Sequence, residues 1–142
     1  MDLKLESQQG FLLATFAGRV SFNEALELAK NVCDMAAERG FGNILADCLA
    51  LEGELSVADR YELGEAMAEY CRRKSVTIRA AVIGKMPTIT GFGAQVARNR
   101  GLVAMTFTEQ QAGLDWLNKF PSRPPLRETS VEAGGQPVAR KR

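Results

Sequence analysis

Apolar and polar positions change rhythm several times along this chain. Leu3-Lys4-Leu5-Glu6 alternates, as a half-exposed strand does. Gln8-Gln9-Gly10 reads as a turn. Phe11–Phe16 is a second, more apolar strand, ended by Gly18. So short a link between two strands predicts a hairpin. Ser21 stands three residues before Glu24, the spacing of a capping box. Behind it Ala25, Leu28, Ala29, Val32, Cys33 and Ala36 recur at helical spacing. They predict a helix to about Glu38, with Gly40 as its stop.

The rhythm then alternates between strand and helix. Asn43–Cys48 is a short apolar run suited to an interior parallel strand. Leu49–Leu55, with two glutamates and Gly53, reads as a loop. Ser56 is an N-cap signal with Asp59 three residues on. Leu63, Ala66, Met67, Tyr70 and Cys71 form the apolar stripe of the helix that follows. Arg72-Arg73-Lys74 complement the dipole at its end. Thr77–Ile83 is the next strand, and Gly84–Thr88 is a loop by composition. Ile89–Asn99 predicts a helix weakened by Gly91 and Gly93 and closed by Gly101. Leu102–Phe107 is the last strand. Thr108–Gln111 reads as a third capping box, and Ala112, Trp116, Leu117 and Phe120 give the last helix one apolar face.

Past Phe120 the pattern ends at Pro121, Pro124, Pro125, Gly134-Gly135 and Pro137. The expectation is one domain over residues 1–120 and a disordered basic tail over 121–142. A hairpin followed by βαβαβα implies an α/β fold. Its sheet has about five strands and is mostly parallel, with one antiparallel strand at the edge.

Charge and composition remove several function classes. Lys plus Arg is 18 and Asp plus Glu is 17, a net of +1, which is no electrostatic footprint for nucleic acid. Residues 1–120 hold 13 basic and 15 acidic groups, so the positive excess belongs to the tail. There is no histidine, which excludes Ser-His-Asp and Cys-His catalysis, His-ligated zinc and an imidazole switch. Cys33, Cys48 and Cys71 are too far apart for a C-x-x-C motif. Three thiols and a charged Met1–Ser7 without an apolar h-region point to reduced cysteines in a cytoplasm. Apolar runs fall short of the ~18 residues that a membrane helix needs. A sheet edge on a small domain makes a homodimer an expectation.

Four stretches resemble the STAS superfamily, in its SpoIIAA-like branch. Phe16-Ala17-Gly18-Arg19-Val20-Ser21 is similar to the family's turn into its first helix. Gly42–Asp47 is similar to its central strand ending in Asp. Arg100–Phe107 is similar to its final strand after an Arg-Gly step, and Ala112–Leu117 to its closing helix. The resemblance covers about residues 3–120. It implies a SpoIIAA-like mixed sheet with four helices mainly on one side. It also implies kinship with anti-sigma-factor antagonists, which are switched by phosphorylation of a Ser at the start of the helix after the central strand. Ser56 matches that position. The antagonists' Asp-Ser-Ser-Gly pattern is replaced here by Glu54-Leu55-Ser56-Val57, after a longer connection.

Each candidate has a plainer competing reading. A phosphate on Ser56 would meet free N–H groups at a helix start, whereas a plain N-cap contributes ~1 kcal/mol. Asp47 and Cys48 close a strand at the carboxyl edge, where open α/β sheets gather ligands; the plain reading of Asp47 is a turn cap. Gly84-Lys85-Met86-Pro87-Thr88 lacks the spacing of a P-loop, and Gly91-Phe92-Gly93 is an incomplete dinucleotide fingerprint. Lys85, Met86, Thr88 and Thr90 remain as ligand-lining candidates. Met35, Met67, Met86 and Met105 could line a soft apolar pocket or fill core. Arg140-Lys141-Arg142 is three charges, too few for firm binding to an anionic surface.

The leading expectation is a non-enzymatic, regulatory partner-binding module with no cofactor and no metal. If it is a switch, Ser56 is the switching residue. The recognition face is then the loop from Cys48 to Leu55 with the helix Ser56–Glu69, Glu54, Asp59 and Arg60 being candidate contacts. The alternative is a carrier of a small apolar ligand or lipid, using Met and Phe side chains near Gly84–Gly93. An enzyme built on Asp47, Asp59 or Lys85 ranks last, because nothing pairs these groups at a spacing that specifies chemistry.

Overall fold

A computed structural model of the chain describes residues 1–120; the expected tail, 121–142, lies outside the described residues. The predicted hairpin forms from β1 (Asp2–Gln8) and β2 (Phe11–Arg19), antiparallel, with Leu3 opposite Phe16 and Leu5 opposite Ala14. It turns on Gly10 at φ 89°, a left-handed angle that glycine tolerates.

Helix α1 (Phe22–Arg39) is capped by Ser21, whose Oγ accepts from the Glu24 amide at 3.5 Å. The Glu24 carboxylate does not return to the cap. It meets the amino group of Met1 at 3.2 Å, so only one arm of the expected capping box is made. Gly40 ends α1 in the left-handed region, with φ 80°.

Strand β3 (Asn43–Glu52) corrects the sequence reading, which placed a loop at Leu49–Leu55. The sheet continues past a register shift between Thr15 and Ala17, and Ala50, Leu51 and Glu52 pair with Ala17, Gly18 and Arg19. Gly18 therefore does not end β2. Much of what looked like a long connection before Ser56 is strand. Leu49 and Ala50 are both exposed, so this extension carries no alternation for a sequence reader to see.

Helix α2 (Val57–Arg73), capped by Ser56, ends with Arg72 and Arg73 in its last turn, as the sequence predicts. Strand β4 (Arg79–Ile83) and helix α3 (Phe92–Asn99) follow. Helix α3 starts three residues late, because Gly91 at φ 92° sits outside the helical region. Strand β5 (Val103–Phe107) and helix α4 (Gln110–Asn118) complete the fold. Glu109, not Thr108, is the N-cap of α4 and makes no side-chain cap bond, so the third capping box is absent.

The sheet order is β1-β2-β3-β4-β5, with β2 to β5 parallel. Each crossover steps the same way along the sheet. Crossovers of one hand then deliver α1, α2 and α3 to the same face. Strand alternation sorts the side chains to match. Leu12, Ala14, Phe16, Ile44 and Cys48 pack with Val32, Cys33 and Ala36 of α1 and Met67 and Cys71 of α2. Leu45, Ala81 and Ile83 point the other way and pack with Leu117 of α4. Helix α4 approaches closely through Gly113, where an added Cβ would stand 2.6 Å from Ile83 Cδ1. Three helices thus lie on one face and one on the other, as expected for helices mainly on one side.

Candidate functional site

Small side chains decide what lies beneath α1–α3. The sheet offers Ala46, Ala80 and Ala104; α1 offers Ala25 and Ala29; α2 and α3 offer Gly64, Gly93, Ala94 and Ala97. Alanine facing alanine across a layer about 10 Å thick leaves space. The space is a cavity of about 240 Å³. Ala46, Ala80 and Val82 are only half-buried although they lie on central strands, so solvent reaches this face. The deep wall is apolar: Val32, Cys33, Ile44, Met67, Ile78 and Leu102.

The mouth lies at the carboxyl ends of the parallel strands. Val20, Leu55, Arg60, Thr88 and Thr90 line it. Two hydrogen bonds tie the β4–α3 connection to the β3–α2 region. Thr88 Oγ donates to Gly53 O at 2.6 Å, and Arg60 Nη2 donates to Pro87 O at 2.7 Å. The Arg60 side chain is 12% exposed, and its guanidinium stands 3.7 Å from the Glu54 carboxylate. Arg60 is the one charged side chain among the lining residues.

The sequence candidates separate into three groups. Arg60 and Thr88 line the cavity, with Glu54 at its rim. Ser56 is exposed at the start of α2, and its Oγ accepts from the Asp59 amide at 3.0 Å, a made N-cap. Val57 and Met86, exposed apolar side chains, flank Ser56 and Pro87 in sequence. Lys85 is exposed on the same connection, and neither it nor Met86 lines the cavity.

Asp47 lies on the α4 face. Its Oδ1 accepts from the Leu49 amide and its Oδ2 from Gln110 Nε2, both at 3.0 Å. It is a carboxylate already partnered by a local turn and by α4. Cys48 is buried, and burial, with the nearby Asp47 charge second, pushes its thiol up to about 12. Such a thiol is no nucleophile at neutral pH. Asp47 and Asp59 belong to opposite faces of the sheet. No ion pair joins Lys85 to either among the described residues. Nor does any group of three or more Cys, Asp or Glu there suit a metal ion.

The expected Met and Phe lining is corrected. Of the four methionines only Met67 faces the cavity, and of the phenylalanines only Phe16. Aliphatic and small side chains supply the rest. The signal that sequence reading passed over is the set of alanines on inward positions of β3, β4 and β5. It also passed over the pair Cys33 and Cys71, whose sulfurs lie 3.6 Å apart between α1 and α2.

No family model matches the chain, and no curated protein matches it. Solved structures do. An anti-sigma factor antagonist from Mycobacterium paratuberculosis superimposes with a TM-score of 0.56 at 13% identity, over 82% of this chain and 93% of that one. The anti-sigma factor antagonist SpoIIAA in its unphosphorylated form matches with a TM-score of 0.46 at 16% identity, over 82% and 98%. An uncharacterized protein with a SpoIIAA-like fold from Shewanella loihica matches with 0.48 at 21%, over 82% and 92%. The first of these shows the fold: the chain shares the α/β architecture of that protein, a mixed five-stranded sheet with four helices, as expected from its sequence.

Proposed function

We propose that this domain is a non-enzymatic binding protein for a small apolar molecule, held in the cavity between the sheet and α1–α3. The observation that carries this reading is the cavity itself, about 240 Å³ with an almost wholly apolar lining. Size supports it: an engineered apolar cavity of about 150 Å³ already takes up benzene. Native mass spectrometry of the protein purified from its own cells tests the reading. The expected result is a retained small molecule released on denaturation. A bare chain that also fails to take up added benzene would overturn it.

A second reading is regulation through a protein partner, and two features favour it. The fold is that of an anti-sigma factor antagonist. Ser56 is exposed at the start of α2, beside Val57, which is 67% exposed. Aspartate is as good an N-cap as serine, so Ser56→Asp adds charge there without removing the cap. Under this reading Ser56→Asp shifts the affinity for a captured partner in a binding titration. The same affinity for both forms would defeat the phosphoswitch. Among the described residues no helix is long and apolar enough to cross a membrane, and a cytoplasmic site of action belongs with this proposal.

A further inference from the structure

We infer that the ligand is a small amphipathic anion. Its apolar body, of about seven or eight carbons, lies beneath α1–α3, and its carboxylate meets Arg60 at the mouth. The inference rests on the ligand-binding reading above and adds the ligand's size and charge.

Size follows from volume. At the roughly 30 Å³ that one water takes in the liquid, 240 Å³ holds about eight non-hydrogen atoms. A medium-length acyl chain or a single substituted ring fits the space beneath α1–α3.

Charge follows from Arg60. It is the one charged side chain among the lining residues. A guanidinium carries five N–H donors in a planar fork. Among the described residues, that of Arg60 makes one hydrogen bond, to Pro87 O. Glu54, at 3.7 Å, is beyond hydrogen-bond reach, and its side chain is 59% exposed. Arg60 is therefore largely withdrawn from water with donors unused. A carboxylate arriving at the mouth could take two of them in a bidentate pair, which Glu54 does not make. Arg60 is also the fourth residue of α2, near the positive end of that helix, where an anion is favoured.

The rest of the lining sets the limit on polarity. Thr88 has already given its hydroxyl proton to Gly53 O, and the deep wall has no charged group. A sugar or nucleotide would bury more polar atoms than Arg60 and the hydroxyls of Thr90 and Thr106 could partner. A neutral hydrocarbon would leave Arg60 unused. One anionic group on a compact apolar body satisfies both ends.

The test titrates octanoate and 1-octanol into the full chain and into Arg60→Gln, Arg60→Lys and Glu54→Gln, by calorimetry. Octanoate is expected to bind more tightly than octanol. Arg60→Gln weakens octanoate roughly tenfold or more relative to octanol, and Arg60→Lys recovers part of that loss. Glu54→Gln, at an exposed side chain, tightens octanoate alone by removing a competing carboxylate. It keeps the inference testable where Arg60→Gln unfolds the protein. Equal binding of octanoate and octanol, with Glu54→Gln without effect, overturns the carboxylate assignment and leaves the cavity reading standing. Binding of neither overturns both.

Discussion

Thr88 donates its hydroxyl to the carbonyl oxygen of Gly53 at 2.6 Å, across the mouth of the cavity. The bond fastens the β4–α3 connection to the turn that follows β3. Thr88→Val keeps the shape and removes the donor. It is expected to lower stability by about 1 kcal/mol in urea unfolding and to speed ligand release. A variant with unchanged stability and unchanged release would show that the contact is not a latch.

Helices α2 and α3 meet through glycine. A Cβ on Gly64 would be driven into the carbonyl oxygen of Gly93 and would stand 3.1 Å from Val96 Cβ. Backbone cannot give way there as a flexible side chain would. Gly64→Ala is therefore expected to cost about 1–3 kcal/mol and to push α3 off α2. Denaturant unfolding checks the cost. A neutral effect would mean that α3 moves freely against α2.

All three cysteines are buried. The Cys48 thiol is pushed up to about 12 by burial first and by the Asp47 charge second. The hydrogen bond to Cys71, followed by burial, raises the Cys33 thiol. The native protein at neutral pH is expected to resist iodoacetamide, with alkylation following the rate of unfolding. For Cys48 the folded state favours the neutral thiol. Its contribution to stability is present below the ordinary value of 9.0 and is lost as pH rises through about 12. Rapid labelling of Cys48 in a folded sample would contradict this burial.

Tyr70 reports on the α1–α2 contact. Its hydroxyl donates to the Asp34 carboxylate, at 2.7 and 2.8 Å to the two oxygens. That bond is the first cause of a phenol pushed up from 10.0 to about 12. A raised phenol favours the folded state below pH 10 and loses that advantage as pH climbs through 12. Asp34→Asn is expected to move one tyrosine's ultraviolet titration back toward the ordinary value. An unchanged titration curve would show that the bond does not hold in solution.

Much of this architecture is legible in the sequence, and the two largest misses have definite causes. Ser21, Gly40 and Ser56 mark helix ends because capping is local chemistry between residues two or three apart. The outer half of β3 is hidden because the sheet resumes at Ala50 after a register shift, while the Leu49 and Ala50 side chains both stay exposed. The cavity is hidden for another reason. Periodicity says which face Ala46, Ala80 and Ala104 turn inward, and it counts alanine as core. Whether a core position is filled depends on its opposite number, here Ala25, Ala29 and Ala94, and that pairing is set only by tertiary packing. Arg60 and Thr88 were legible as candidates, but their common place at one mouth was not.

The most direct measurement is methyl NMR of the full chain titrated with benzene. Benzene carries no charge, so it tests the cavity without the carboxylate. Shifts are expected at Ala29, Ala46, Ala80 and Val82, beneath α1–α3. None is expected at Leu45, Ile83 or Leu117, on the α4 face. Ala46→Leu, which fills the space, should abolish them. Saturating benzene without shifts at the first set, or with shifts at the second, would contradict the claim that this fold holds a ligand there.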